Sequence, residues 1–332
     1  MIRLYKKYIS SICLSVLSII TYGQKENHFP YTLSGKTVEP VLFAKDIIST
    51  NTDEFGGVFS PDGKTVYFSK SVPGSYFYTI CYSEFKNGKW TKPAIMPFSG
   101  MYKDFDPVLS PDGNKMLFAS DRPIGDKVKT DYDIWMVQKT KTGWSDPIHL
   151  DTVINSNYDE HFASIASNGN IYFSSTRPGA KGGEYDSDVY MSRLVNGKYQ
   201  PAEPLGDSVS SGYFELEAVI APDESYLLTG ALGRPDGFGH FDIYISYNQN
   251  GHWTASKNMG KPINSSARDY SPRITPDGKY IFFTSERDFS SQSRINKTPY
   301  TYGRYISNIR GIYNGLGNIY QFEFSKYSKL TR

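Results

Sequence analysis

The chain has 332 residues, 39% of them hydrophobic and 21% charged, with a formal charge of +2. This composition supplies a full core, excludes a disordered chain, and argues against a nucleic-acid binder. Aromatic residues reach 15%, including 27 tyrosines, which suits strands that bury a ring and keep a hydroxyl wet.

Residues 1–24 read as a secretory signal. Arg3, Lys6 and Lys7 form a positive n-region, Ile9 to Ile20 supply an apolar h-region, and Thr21-Tyr22-Gly23 ends in a small residue suited to cleavage before Gln24. The apolar run is short for a membrane span, and Ser11-Ile12 before Cys13 do not make a lipoprotein acylation site. The expectation is an exported chain, periplasmic or secreted, with no transmembrane segment after cleavage. Cleavage removes three basic and no acidic residues, so +2 becomes −1. Cys81 is then the one cysteine left, and no intramolecular disulfide can form. Residues 25–35 follow as an N-terminal extension. Residues 36–332 form one domain without linkers or charge blocks.

The domain repeats itself. Pro61-Asp62-Gly63, Pro111-Asp112-Gly113, Ser167-Asn168-Gly169, Pro222-Asp223-Glu224 and Pro276-Asp277-Gly278 are separated by steps of 50, 56, 55 and 54 residues. A fixed period in this range signals a propeller or solenoid. Each repeat reads as four strands, a to d. In the second, strand a covers 105–110, b 115–120, c 132–138 and d 143–150. Asp-Gly or Asn-Gly between short apolar runs marks the a–b hairpin. The c strands carry Ile80-Cys81, Asp133-Ile134-Trp135, Asp188-Val189-Tyr190, Asp242-Ile243-Tyr244 and Asn318-Ile319-Tyr320. The d strands carry Trp90, Trp144, Tyr199 and Trp253. No segment has a convincing 3.6-residue period, so almost no helix is expected.

Five a-b-c sets meet only four d strands. Residues 36–43 resemble residues 88–95, so the N-terminal strand is expected to complete the last blade, closing the ring and removing an exposed edge. The reading is an all-β propeller of five four-stranded antiparallel blades, with six as the alternative if 288–316 hides degenerate strands.

The string Asp269-Tyr270-Ser271-Pro272-Arg273-Ile274-Thr275-Pro276-Asp277-Gly278-Lys279-Tyr280-Ile281-Phe282-Phe283, with Arg177-Pro178-Gly179 and Asp188-Val189-Tyr190 in the third repeat, resembles the TolB-type, WD40-like propeller repeat. The resemblance covers residues 36 to about 325. It implies the propeller fold and an exported protein, often of a Gram-negative bacterium. It does not specify a function, because the family includes scaffolds, binding modules and a few enzymes.

Eight residues before each turn Asp or Asn stands an acid: Glu54, Asp104, Glu160, Glu215 and Asp269. Arg122, Arg177, Arg234 and Arg287 follow strand b in four repeats, while the first has Ser71-Val72-Pro73-Gly74. The acids are expected as a ring at one mouth of the channel. The arginines either pair with them to fix blade geometry or share with them a ligand or cation site. Glu54, lacking an Arg, is expected to be free. Glu160, His161 and His240 are the sparse set available to a divalent cation; no zinc-motif spacing is present and no other cofactor is expected. The long connection 288–316, with Arg294, Lys297, Arg304 and Arg310, is expected to fold over the acidic mouth. With no catalytic constellation assigned, the first reading is a non-enzymatic propeller binding an envelope protein, peptide or glycan at its channel face. The alternative is a carbohydrate-active propeller, lyase or glycosidase, using channel-mouth carboxylates.

Overall fold

The computed structural model describes residues 29–178, 187–290 and 299–328; the expected signal over 1–24 lies outside them. After β1 (Val41–Leu42), blade 1 is built from β2 (Asp53–Phe59), β3 (Thr65–Val72), β4 (Phe77–Lys86), β5 (Lys89–Trp90) and β6 (Ala94–Ile95). Blade 2 holds β7 (Asp104–Leu109), β8 (Lys115–Ser120), β9 (Asp133–Thr140), β10 (Gly143–Trp144) and β11 (Ile148–His149). Blade 3 holds β12 (Glu160–Ile165), β13 (Ile171–Ser175), β14 (Asp188–Ser192), the hairpin β15 (Leu194–Val195) and β16 (Lys198–Tyr199), and β17 (Glu203–Pro204). Blade 4 holds β18 (Phe214–Ile220), β19 (Tyr226–Leu232), β20 (Phe241–Gln249), β21 (His252–Trp253) and β22 (Lys257–Asn258). Blade 5 holds β23 (Asp269–Ile274), β24 (Tyr280–Ser285) and β25 (Asn318–Glu323), and its fourth strand is β1.

The molecule is therefore a five-bladed propeller of antiparallel blades closed by its N-terminal strand. Closure pairs Val41 with Gln321 and Leu42 with Tyr320, and Phe43 N donates to Ile319 O at 2.9 Å. The Phe43 ring, 3% exposed, wedges edge-on against Phe59, Trp90 and Phe282, joining the last blade to the first. Tyr31 packs into the same junction, 4.7 Å from the Phe59 ring. It lies against the hairpin glycine Gly63, where φ is +67° and a Cβ would fall 2.8 Å from the Tyr31 ring.

The outer strands differ from the single runs expected. In blades 1 to 4 each is two short pieces, as with β10 and β11 in blade 2. Pro93, Pro147 and Pro201 lie in three of the gaps, and proline has no N–H to give a ladder. The connection 299–317 contains no sixth blade. It forms helix α1 (Tyr302–Ile309), capped by Thr301, with no buried residue. A second short helix, α2 (Ser325–Ser328), follows β25.

Every inner strand carries a β-bulge at the same place, where the register shifts after Phe55, Phe105, His161, Leu216 and Tyr270. The next residue has positive φ in all five: Gly56 at 68°, Asp106 at 52°, Phe162 at 51°, Glu217 at 66° and Ser271 at 48°. Four of these are not glycine, so the backbone is strained at each. The bulge turns the N–H away from its own sheet and toward the preceding blade. Gly56 N donates to Thr284 Oγ1 (3.2 Å), Asp106 N to Ser69 Oγ (2.9 Å) and Ser271 N to Glu217 Oε1 (2.9 Å). Between blades, apolar faces interlock, as Leu117 and Ile134 do with Ile171 and Phe173.

If ring closure carries the stability, Phe43→Ala should destabilise the protein by about 3–5 kcal/mol, the usual cost of emptying a buried Phe site. Chemical denaturation measures this, and a loss below about 1 kcal/mol would mean that the first and last blades hold together without the wedge.

Candidate active site

The five acids begin or nearly begin the inner strands, and all are 0% exposed. Each reaches back to the loop that enters its own blade. Glu160 accepts from Ser156 N (2.6 Å) and Ser156 Oγ (2.7 Å). Glu215 does the same with Ser211, Asp269 with Ser265, and Glu54 with Thr50. Asp104 accepts from Ser99 Oγ at 2.9 Å. On the other side, Ser120, Ser175 and Ser285, at the ends of β8, β13 and β24, donate to Asp104, Glu160 and Asp269. The ring is thus a set of staples inside the blades.

Three of the arginines complete the staples. Arg122 lies 2.6 Å from Asp104, Arg177 3.1 Å from Glu160 and Arg287 3.4 Å from Asp269. Arg234 does not touch Glu215; it donates to Ser211 and Ser256. Each guanidinium also rests on the aromatic ring of its own third strand: Trp135, Tyr190, Tyr244 or Tyr320. Blade 1 lacks the Arg and has Cys81 where the others have that ring. Glu54, expected to be free, is instead closed by Lys70 Nζ at 2.6 Å. Burial raises Asp104, Glu160 and Asp269 above the usual carboxylate range against the pull of their cations and hydroxyls. Glu215, with no direct ion pair and Ala231 opposite it, is pushed by burial to about 7.

One layer further out, the blades stop resembling one another. The cross-strand pairs there are Asp53–Ser71 and Phe214–Leu232, and Arg268 stands beside Glu286. This uneven layer borders a cavity of about 330 Å³ at the channel mouth. Phe55, Tyr78, Phe105 and Tyr270 supply aromatic walls, and Asp53, Glu286, Glu217 and Arg268 supply charge. Asp53 Oδ1 accepts from Gly317 N at 2.8 Å, and its other oxygen accepts from Ser71 Oγ. A Cβ at position 317 would sit 2.7 Å from Asp53 Oδ1 and 2.9 Å from Tyr270 Oη, so this glycine allows the close approach. Arg268 lies on the Tyr270 ring (4.6 Å) and 3.2 Å from Glu286. Burial raises Glu286, with Asp53 and Asp269 adding to the rise against Arg268. Glu217, which lines the cavity, and Asp106, which does not, are each 1% exposed, and burial raises both; Glu217 adds to the rise at Asp106.

The charged residues of the cavity escape a search for what all the repeats share, because their positions are not constant around the ring. The available signal was the reverse: an aligned column, Asp53, Lys103, Asp159, Phe214 and Arg268, that mixes acid, base and aromatic residues.

Glu160, His161 and His240 do not converge. Glu160 is occupied by serines and Arg177, desolvation pushes His161 down to about 4, and His240 borders a separate cavity beside Lys261. Among the described residues no group of three His, Cys, Asp or Glu side chains can hold a metal ion. The long connection borders the cavity through Gly315 and Leu316, but of its basic residues the described Arg304 and Arg310 do not pair with the ring acids. Arg304 lies on Tyr300, the Arg310 carbonyl accepts from Asn51, and Arg294 and Lys297 lie outside the described residues. Among the described residues no helix is long and apolar enough to cross a membrane.

No family model and no curated protein matches the chain. Among solved structures it is similar to a glycoside hydrolase, with TM-score 0.51 and 9% identity over 87% of this chain and 92% of that one. It is similar to the same extent to BT0996 in an RGII complex, with TM-score 0.50, 9% identity and the same coverages. A Mycobacterium tuberculosis puromycin-hydrolyzing peptidase is more distant, with TM-score 0.39 and 13% identity over 70% of this chain; the chain spans 34% of that protein. At these identities the likeness establishes the β-propeller fold. The expectation of a non-enzymatic binding propeller, and the leaning against an enzyme, are corrected. A glycoside hydrolase shares the fold over most of both chains, and the channel mouth holds carboxylates separate from the stapled ring.

The staples carry a pH signature. Glu215 has its ordinary value, near 4.5, when unfolded and about 7 when folded. Its contribution to stability is therefore full below pH 4.5 and is lost as pH rises through about 7, by on the order of 3 kcal/mol. Glu215→Gln removes the titration. Its stability relative to wild type should rise between about pH 4.5 and about pH 7 in paired thermal melts; a difference independent of pH would contradict the buried position.

Proposed function

We propose that the chain is a carbohydrate-active propeller that cleaves a glycosidic bond at this channel mouth. The observation that carries the proposal is the presence of Asp53 and Glu286 on one aromatic-lined cavity, with Glu286 raised by burial. Cleavage of a glycosidic bond takes two carboxyl groups, one protonated to meet the leaving oxygen and one ionised. Glu286 retains its proton more readily and serves as the acid. Asp53, which accepts from Ser71 Oγ and Gly317 N, serves as the second carboxyl group. Phe55, Tyr78 and Tyr270 offer flat apolar faces to a sugar ring, and Arg268 orients its hydroxyls. The fold of a glycoside hydrolase over the same length is consistent with this use.

The same proposal reads the chain as a TolB-like repeat protein, exported after loss of residues 1–24, with its propeller over 36–332. The recurring turn, acid and arginine support that reading.

The test is release of reducing ends from a panel of neutral and acidic oligosaccharides. Wild type should act on at least one, and Glu286→Gln and Asp53→Asn should each lower kcat by about 10²–10⁴. Because the acid must be protonated, activity should fall as pH rises through the raised value of Glu286, and Glu286→Gln should lose that limb. Inactivity on every glycan, full activity of Glu286→Gln, or unsaturated ends in place of hydrolysis would each overturn the assignment.

A further inference from the structure

The lower mouth of the channel, where the a–b hairpins turn, holds a second cavity of about 380 Å³. Four residues below each stapled acid, the inner strands place Val58, Val108, Ser164, Val219 and Arg273 around it. Four blades thus supply a small residue at this level, and blade 5 alone supplies a cation. The other four blades pack without a cation at this level, so Arg273 is not part of the repeat.

Arg273 is 3% exposed. Its Nη1 donates to Pro272 O at 2.8 Å and lies 3.6 Å from Glu217 Oε2. Its Nε and Nη2 are buried and have no hydrogen-bond partner. These two nitrogens form one edge of the guanidinium, the pair of parallel donors that matches the two oxygens of a carboxylate. Leaving them unmet inside the protein is costly. The neighbouring Asp106 has both carboxylate oxygens unpartnered too and makes no ion pair with Arg273 among the described residues. Burial and Glu217 raise Asp106 against the pull of Arg273, which favours its neutral form and weakens its repulsion of an incoming anion.

We propose that the lower mouth binds an apolar carboxylate, its two oxygens on the Nε–Nη2 edge of Arg273 and its apolar body against Val58, Val108 and Val219. The chemistry fits a small organic acid or the C-terminus of a peptide ending in an apolar residue. The site lies at the opposite mouth from Asp53 and Glu286, so it stands or fails independently of glycan cleavage.

The test uses the whole protein and two matched pairs of probes: phenylacetate with phenylacetamide, and a short peptide ending in leucine as free acid and as amide. Calorimetric titration should find saturable binding of at least one acid and none of its amide. Tighter binding of the peptide acid identifies a chain terminus as the source, and tighter binding of phenylacetate a small acid; either supports the site. Arg273→Met should weaken acid binding by about tenfold to a hundredfold. The comparison of acid with amide needs no variant, so it decides the matter even if Arg273→Met fails to fold. Equal binding of acid and amide, no binding of either acid, or full binding by a folded Arg273→Met would overturn the proposal. The last two outcomes would leave water as the partner of the open edge.

Discussion

A buried carboxylate at or near the start of every inner strand is the interaction on which the rest of this propeller depends. It holds the entering loop through a backbone N–H or a hydroxyl four or five residues upstream, and in three blades it holds a serine and an arginine at the end of the second strand. With the strand start fixed, the bulge two residues later falls at the same height in every blade. In blades 1, 2 and 5 the displaced N–H groups reach the preceding blade. Buried ion pairs are weak sources of net stability but sharp specifiers of geometry when every partner is satisfied. Here they set the register from which the channel is built.

That division separates structure from chemistry. Positions that recur in all five blades are consumed within the fold: the acids, the turn residues, the bulge. Positions that differ between blades are released from that duty. Asp53, Arg268 and Glu286 at the upper mouth, Asp106 and Glu217 in the middle, and Arg273 at the lower mouth all lie in columns where the repeats disagree. A symmetric scaffold with an asymmetric lining can present different groups around one axis, which suits both an acid–base pair and a single anion-binding guanidinium.

Most of the architecture was legible in the sequence. The hairpin turns fixed the repeat, and the missing fourth strand located the closure that Val41 and Leu42 make with β25. The acids and arginines were visible as columns, but whether they faced the channel or the blade interior was not, because spacing alone does not reveal the rotation that a bulge imposes. Lys70 was overlooked as the partner of Glu54 because it comes from the strand itself, ahead of the place where the arginines stand. The split outer strands were signalled by Pro93, Pro147 and Pro201. Helix α1 was missed although Tyr302, Tyr305, Ile306 and Ile309 recur at i, i+3, i+4 and i+7, because eight residues make a short window for that period. The mouth carboxylates were hidden for a different reason: Asp53 and Glu286 lie 233 positions apart in the chain and meet only because the ring closes between blades 5 and 1.

The central claim is that chemistry sits at the upper mouth between Asp53 and Glu286. The most direct measurement is a crystal structure of the Glu286→Gln protein with an oligosaccharide bound. A sugar ring against Phe55, Tyr78 or Tyr270, with its glycosidic oxygen within hydrogen-bond reach of the substituted side chain and the Asp53 carboxylate on the same sugar, is the expected result. A glycan seated elsewhere, on the groove beside Trp90 and Ile95 of blade 1 or at the lower mouth, would contradict it.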